Sequence, residues 1–254
     1  MPTLLDRVGR AVQIEIYADI VCPWSYLGKR RLEAALARSV FEDQAILRWR
    51  PFQLDPGAPR GPVPLMTWLT RRLDSLDRAR AEAATVTRLA AAEGLHLDYN
   101  RAFMANTFDA HRLLWFADQP ESVFAGAGPD TQAELAEALH RAHFTDGRDV
   151  GDLDVLLDLA DEVGLDTARV ARLLHSREAT ADVRGQLARA YDLGITSVPT
   201  FVFAGTYTVC GAQSVAAMTD VLAEVARRER LAPTVAHIPR QRTAPAADDD
   251  TRVA

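Results

Sequence analysis

A predicted strand that runs into a helix at a Cys-Pro pair is the feature that most limits how this chain can fold. Across Val12–Asp19 apolar residues alternate with polar ones, which is typical of a β-strand with one buried face. Cys22 and Pro23 follow at once, and proline suits the first turn of a helix because its missing N–H needs no partner there. Apolar residues at helical spacing continue to about Arg38. The pattern predicts that Cys22 lies at the N-terminus of a helix, directly after a strand.

A long helical block separates this start from a second group of strands. A strand is predicted over Ala45–Phe52, and the Pro- and Gly-rich residues after it interrupt regular structure. Beyond Gly194, two short runs of strand-forming residues flank Ala204-Gly205-Thr206, which indicates a β-hairpin, and a last amphipathic helix is predicted over Ser214–Arg228. The helices predicted within the block are Met66–Ser75, Arg78–Glu93, Thr107–Asp118, Thr131–His143, Leu153–Val163, Ala168–His175 and Thr180–Asp192.

These elements predict an α/β fold in which helices cover a mixed β-sheet. A parallel strand pair needs a crossover helix, whereas a hairpin adds antiparallel strands. We expect a discontinuous sheet-containing domain of residues 11–62 and 192–230, with a helical domain of residues 63–191 inserted into it. Residues 1–10 and 233–254 are predicted to be flexible termini, the second being rich in Pro, Ala and Asp.

Composition excludes several classes of function. The formal net charge is −6 over 254 residues and no basic block stands out, so nucleic acid is not an expected partner. No apolar run approaches the roughly 20 residues that span a bilayer, and the start does not resemble a signal peptide, so we expect a cytoplasmic protein without a membrane partner. The two cysteines, Cys22 and Cys210, are too few for a disulfide framework, and the histidines show no metal-binding spacing.

Cys22 is the candidate nucleophile. A thiolate is the reactive form of cysteine, and a helix N-terminus can lower a thiol pKa from about 8.5 toward the range of about 3.5 to 7.5. We therefore expect a lowered pKa at Cys22; the alternative is a buried, inert cysteine. Ser25 lies one helical turn on, where its hydroxyl returns to the same side and can hydrogen-bond the thiolate without forming a disulfide. The alternative for Ser25 is an ordinary hydroxyl at the start of a helix.

Val198-Pro199 stands just before the predicted hairpin. A cis X–Pro bond at a strand entrance exposes the backbone of the preceding residue, with which an extended substrate can pair by strand addition. Taken alone, Pro199 fits an ordinary trans proline better. Beside a Cys-Pro helix start, we expect it to be cis and to position substrate.

Four ordered segments resemble the DsbA family, most closely its FrnE-like branch. The active-site segment is DIVCPWSYLGKR (residues 19–30), the helical-insert motif is NTFDAHRL (106–113), and the cis-proline and terminal-strand segments are GITSVPTFV (194–202) and VCGAQ (209–213). The resemblance spans about residues 13 to 226. It implies a thioredoxin fold with a large all-helical insertion before the cis-proline hairpin, and thiol–disulfide chemistry at Cys22.

The sequence departs from that family at the two positions that matter most. The branch usually has a second cysteine where Ser25 stands, and serine where Cys210 stands. Cys22 could therefore act through mixed disulfides that a small thiol such as glutathione or mycothiol resolves. Alternatively Cys210 is a second thiol: the hairpin pairs Thr200 with Cys210 and brings it beside Pro199, but a disulfide needs Cα atoms within about 7 Å.

Two further classes of function stay open. Kappa-class glutathione transferases and 2-hydroxychromene-2-carboxylate isomerases are similar to this fold, carry serine at the position of Cys22 and bind glutathione. A redox-inactive thioredoxin-fold binding module is the other alternative. We expect no tightly bound cofactor and no metal. The expected substrate is a thiol or disulfide, on a protein or a small molecule, and a homodimer is one option for the assembly.

The supporting candidates are residues that could contact substrate beside Cys22. Trp24 and Tyr26 could form an apolar platform for substrate; the alternative is that one of them packs into the core. A histidine near a thiolate stabilises it as imidazolium, but a histidine in an interdomain contact fits equally well. Asp19 is expected to fix local backbone rather than to accept a proton. The predicted substrate-binding residues are Pro23, Trp24, Tyr26, Val198, His111 and Asn106.

Overall fold

A four-stranded mixed sheet forms the centre of the molecule. The computed structural model describes residues 11–42, 44–58 and 63–229, without the side chain of residue 124. Both predicted flexible termini, residues 1–10 and 233–254, lie outside the described residues. In chain order the elements are β1 (Val12–Ala18), α1 (Pro23–Leu36), β2 (Ala45–Pro51), β3 (Val63–Pro64), α2 (Leu65–Leu73), α3 (Leu76–Ala92), β4 (Phe103–Met104), α4 (Phe108–Ala117), α5 (Thr131–Arg141), α6 (Leu153–Glu162), α7 (Thr167–His175), α8 (Thr180–Asp192), β5 (Thr200–Phe203), β6 (Tyr207–Cys210) and α9 (Val215–Arg228).

The sheet has the order β2-β1-β5-β6. β1 runs parallel to β2, with α1 as the crossover between them, and antiparallel to β5, which continues through the hairpin into β6. Alternation in β1 places Ile14 and Ile16 in the core, where both are fully buried, while Gln13 faces solvent. The mixed sheet expected from the sequence is therefore confirmed, and the end of β1 delivers the chain to Cys22.

The segment between β2 and β5 is helical apart from one detail. β3 and β4 form a two-residue antiparallel pair, Val63 opposite Met104 and Pro64 opposite Phe103, so the prediction of an all-helical insertion is wrong there. Strands this short carry almost no periodicity, and Pro64 in the first of them argued against a strand. A 3-10 helix (Pro120–Ala125) and a π-helical turn (Ala142–Asp146) follow α4 and α5.

The side chain of Gln132 on α5 joins this segment to the central sheet. Its Oε1 accepts the Trp49 backbone N–H at 3.0 Å, and its Nε2 donates to the carbonyl oxygens of Trp49 and Leu114 at 3.4 and 3.0 Å. β2 is an edge strand, so the backbone groups on its outer side have no neighbouring strand to bond. The Gln132 amide supplies the missing hydrogen bonds to the Trp49 N–H and carbonyl. None of the helices that the structure describes is long and apolar enough to cross a membrane.

Candidate active site

Cys22 is the N-cap residue of α1, held between the end of β1 and the loop that precedes β5. Its backbone is extended (φ −95°, ψ 111°), Pro23 is the first residue of the helix, and the Ser25 and Tyr26 N–H groups donate to the Cys22 carbonyl. The side chain is only 3% exposed, and the Sγ lies 3.6 Å from the Val198 carbonyl oxygen, to which the thiol donates. The Val198–Pro199 bond is cis, as the sequence predicts.

Burial raises the pKa of the Cys22 thiol to about 11, which overturns the expectation of a lowered pKa. Desolvation disfavours the charged thiolate, and the nearby Asp19 carboxylate raises the pKa further. The Ser25 hydroxyl and the backbone N–H groups of Ser25 and Trp24 act in the opposite direction, as a helix N-terminus should. They are the weaker influence in this site, so the reduced thiol is protonated at neutral pH.

Ser25 lies on the same helical turn as Cys22 and is fully buried. Its Oγ has no hydrogen-bond partner of good geometry among the described residues, yet the hydroxyl is near enough to the thiol to lower its pKa. The interaction is therefore a loose one. No second thiol stands at this position, and Cys22 and Cys210 are both free.

Close packing of α1 against the cis-proline loop fixes the position of that loop. A Cβ atom on Gly28 would lie 2.7 Å from Pro199 Cγ and 3.1 Å from Phe201 Cζ. Glycine at position 28 thus lets Pro199 sit directly on α1, which holds Val198 next to Cys22. No signal in a single sequence marks this glycine, because it stands in the middle of a helix where a turn is not expected.

Cys210 occupies the predicted place opposite Thr200 in the β5–β6 ladder. It is exposed, its Sγ lies 3.7 Å from Thr200 Oγ1, and the next residue, Gly211, donates its N–H to the Pro199 carbonyl at 2.8 Å. Cys210 is therefore exposed on the edge strand β6, next to the cis-proline loop, whereas Cys22 is buried on the α1 side of that loop.

The aromatic residues beside Cys22 separate into two environments. Trp24 and Pro23 are half-buried, and Trp24 packs against the hydrophobic core. Tyr26 instead turns inward: its hydroxyl donates to Glu137 at 2.8 Å, and its ring stacks on that of His140 at 5.0 Å. The structure thus places Tyr26 in the contact between α1 and α5, which is the core-packing alternative for this pair of residues.

His111 and Asn106 have local partners other than Cys22. His111 Nε2 donates to the Phe52 carbonyl at 3.0 Å and lies 3.5 Å from Asp19 Oδ1. Asp19 Oδ2 accepts the Leu54 N–H at 2.7 Å, which is the backbone-fixing role expected for it. Asn106 donates to the Ala58 carbonyl and accepts the Phe108 N–H at the start of α4. His111 is therefore connected to the site through Asp19. Asn106 instead joins the loop at Ala58 to the start of α4.

The sequence analysis did not single out several buried polar residues near Cys22. Lys29, the chain's one lysine, is buried and pairs with Glu33 and Glu137, each at 2.6 Å. The rings of His140 and His143 are fully buried, and the His140 ring stacks on Tyr26 of α1. Their spacing, three residues apart on the apolar face of a helix, was the available signal. Burial raises the pKa of Tyr99, and the charge of the Cys22 thiolate raises it further.

Comparison with known proteins identifies the class to which this fold and site belong. Residues 13–223 match the family model of the DSBA-like thioredoxin domain, so the chain belongs to the DsbA-like family of thiol–disulfide oxidoreductases. The crystal structure of a probable DsbA oxidoreductase from Streptomyces coelicolor is 34% identical, with a TM-score of 0.77, and the match covers 92% of this chain and all of that one.

More distant solved structures share the fold alone. A 2-hydroxychromene-2-carboxylate isomerase is 16% identical with a TM-score of 0.58, over 86% of this chain and 98% of its own. The cytosolic disulfide reductase DsbM of Pseudomonas aeruginosa is 18% identical with a TM-score of 0.54, over 87% of this chain and 100% of its own. Within the described part of the chain, no group of three or more His, Cys, Asp and Glu side chains is arranged to hold a metal ion.

Proposed function

We propose that this protein is a thiol–disulfide oxidoreductase that reacts through Cys22 alone and forms mixed disulfides. The observation that carries the proposal is the pairing of a thiol held against the cis-proline loop with a serine one helical turn away. Cys22 Sγ attacks one sulfur of a disulfide, the S–S bond breaks, and the other sulfur leaves as a thiol once protonated. A second thiol molecule then attacks the mixed disulfide and releases reduced Cys22.

Val198 supplies the docking point for the substrate backbone. In the reduced protein its carbonyl accepts the Cys22 S–H. When Cys22 enters a mixed disulfide that donor is lost, and the carbonyl becomes free to accept an N–H from an extended substrate. Half-buried Trp24 and Pro23, which follow Cys22 in the chain, provide apolar contacts for the substrate. Binding of the substrate backbone is in this way linked to the oxidised state of Cys22.

The resolving partner is a small thiol such as glutathione or mycothiol, used as a cosubstrate without a tightly bound cofactor. Ser25 cannot resolve the mixed disulfide, and Cys210 stands at the rim, two strands from β1 where the chain enters the site. A glutathione complex of the fold relative DsbM, a cytosolic enzyme, is consistent with such a partner and with a cytoplasmic setting. The substrate is a thiol or disulfide on a protein or small molecule.

A glutathione-dependent isomerase or transferase is the second candidate. It is favoured by one observation: with its raised pKa, the Cys22 thiol is a protonated hydrogen-bond donor, as a serine hydroxyl would be. In that case Cys22→Ser retains glutathione binding and activity. In the oxidoreductase the same change removes the reacting sulfur.

The test is glutathione-dependent reduction of a small disulfide by three proteins. We expect Cys210→Ser to stay within about threefold of wild type, since Cys210 takes no part, and Cys22→Ser to lose about 100-fold or more. Activity of Cys22→Ser at the wild-type level would contradict the proposal. Loss in Cys210→Ser equal to that in Cys22→Ser would show that both thiols are required.

Ser25→Cys is expected to convert the site into a dithiol. Positions 22 and 25 share one helical turn and both are buried, so the new thiol should form a disulfide with Cys22 under mild oxidation. Mass spectrometry after thiol alkylation would show two fewer alkylated cysteines than in the reduced variant. Ser25→Ala is the matched control and should keep both native thiols. A Ser25→Cys protein that stays fully reduced would contradict this geometry.

A further inference from the structure

The Cys210 side chain points to the face of the central sheet opposite the one on which α1 packs. Cys210 pairs with Thr200 across β5 and β6, so both side chains point to one face. Phe201, the next residue, points to the other face, and there a Cβ atom on Gly28 of α1 would lie 3.1 Å from Phe201 Cζ. Two cysteines whose Cβ atoms point apart form no disulfide without backbone movement. Cys210 is therefore not placed to resolve a mixed disulfide at Cys22.

The position one helical turn after Cys22 holds a hydroxyl in place of a thiol. Ser25 is fully buried on the first turn of α1, and a hydroxyl does not exchange with a disulfide. Once Cys22 has entered a mixed disulfide, no second thiol of the chain is placed to attack it. The mixed disulfide therefore lasts until a thiol from outside attacks it, or until the thiol that left returns.

The outcome depends on whether the leaving thiol stays nearby. When the substrate is a disulfide within one polypeptide, the displaced thiol stays tethered at an effective concentration on the order of mM. It attacks the mixed disulfide, re-forms the original S–S bond and expels Cys22. When the substrate is a mixed disulfide between two molecules, the leaving thiol diffuses away. A site with one thiol thus completes the reaction with the second kind of substrate and reverses the reaction with the first.

We propose, building on the one-thiol function above, that the substrates are mixed disulfides between a protein and a small thiol, and that Cys22 removes the small thiol. The Cys22 S–H bond breaks and Sγ bonds to the sulfur of the small thiol. The substrate S–S bond breaks, and the protein sulfur leaves with the electron pair and takes up a proton. A second small-thiol molecule then attacks the adduct on Cys22. Its proton passes to Cys22 Sγ, and a small-molecule disulfide leaves.

The burial of Cys22 determines which of the two substrate sulfurs it attacks. Its side chain is 3% exposed, and Sγ lies 3.6 Å from the Val198 carbonyl oxygen. The attacked sulfur has to make contact with Sγ at this buried position, whereas the leaving sulfur stays about 2 Å further out along the S–S bond. A small thiol fits there more readily than the surface of a folded protein, so the protein is the leaving group. The backbone of the small thiol then pairs with the Val198 carbonyl, which the S–H has released.

Two matched peptides test this substrate class. The first has one cysteine, in a mixed disulfide with glutathione, and the second has a cysteine in place of one serine and an intramolecular disulfide. Each is mixed with an equal amount of reduced Cys210→Ser protein, and the protein is weighed by mass spectrometry after an acid quench. At about 10 μM of each, a tethered thiol with an effective concentration on the order of mM reverses nearly all of the peptide adduct.

The glutathione adduct on Cys22 should therefore exceed the peptide adduct by about tenfold or more. A peptide adduct as abundant as the glutathione adduct, or no transfer of glutathione from the first peptide, overturns the proposal.

Ser25→Cys, in the same Cys210→Ser background, should gain the reaction that the parent lacks. Its second thiol resolves the peptide adduct before the tethered thiol reverses it, so the protein ends with a disulfide between positions 22 and 25. The peptide with the intramolecular disulfide is then released in its reduced form, in an amount about tenfold or more above that from the parent. Stoichiometric reduction of the same peptide by the parent overturns the proposal.

Oxidised glutathione separates a failure of this proposal from a failure of the proposed function. It is a small symmetric disulfide, which a reactive Cys22 attacks whatever its preference between the peptides. If Cys22 acquires glutathione from it but shows no preference between the peptides, the one-thiol function stands and the substrate class is wrong. If Cys22 acquires none, the one-thiol function itself is wrong.

Discussion

Arg112→Ala is expected to lower the free energy of unfolding by about 4 kcal/mol. Arg112 on α4 is buried and donates to the backbone carbonyls at the C-terminal end of α7 and just beyond it. The hydrogen bonds reach Leu174 O at 3.3 Å, Ser176 O at 2.9 Å and Glu178 O from Nε and Nη2 at 3.0 and 2.8 Å, with a further one to Leu173 O. Alanine would leave these buried acceptors unpaired and the Asp109 carboxylate without its 2.8 Å ion pair.

Chemical denaturation of matched variants measures the effect. Arg112→Lys keeps the charge but presents a single nitrogen, so it should recover only part of the loss. Arg172→Ala, an exposed arginine on α7, is the control and should change the free energy of unfolding by less than about 0.5 kcal/mol. A loss below about 1 kcal/mol in Arg112→Ala would contradict the stabilising role given to these hydrogen bonds of Arg112.

Stability is expected to fall steeply as the pH drops below about 6.5. Burial lowers the pKa of His140 to about 4 and that of His143 to about 3 in the folded protein. The unfolded chain protonates both near their ordinary pKa of about 6.5, so it binds more protons than the folded state below that pH. The contribution is fully present above pH 6.5 and is lost on acidification. Each histidine adds about 1.4 kcal/mol per pH unit to the slope between pH 6 and 4.5.

Variants of the two histidines separate this contribution from that of the carboxylates. The double variant His140→Phe, His143→Phe should flatten the dependence by the equivalent of about two protons between pH 6 and 4.5. His175→Gln, at the exposed end of α7, should leave the slope unchanged. Free energies of unfolding from denaturant titrations at several pH values give the slopes. An identical slope in wild type and double variant would contradict the burial of these rings as neutral imidazoles.

Much of the fold could be predicted because local pattern and tertiary structure agree. The alternation in β1, the Cys-Pro start of α1 and the hairpin around Gly205 each specify one local structure, and the observed bounds differ from the predicted ones by at most two residues in these elements. The β3–β4 pair was missed because two residues have no period. Gly28 was missed because what it accommodates, Pro199, is distant in sequence.

The site was harder to predict because its electrostatics depend on burial. A helix N-terminus at Cys22 was predicted correctly, yet the sign of its pKa shift was wrong. Burial of the thiol, which lies against Val198 of the cis-proline loop, outweighs the effect of the helix N-terminus. The same limit applies to Tyr26 and His140. The helical pattern of each segment does not show whether these side chains are buried. Their burial comes from the packing of α1 on α5, where the two rings stack.

The central claim, a single reacting thiol at Cys22, is tested most directly by the mass of the intact protein after incubation with oxidised glutathione, followed by peptide mapping. The account predicts one glutathione adduct on Cys22 in the Cys210→Ser variant, released by reduced glutathione, and no Cys22–Cys210 disulfide in wild type. An unmodified Cys22 under conditions that label a control thiol, or a Cys22–Cys210 crosslink in the oxidised wild type, would contradict it.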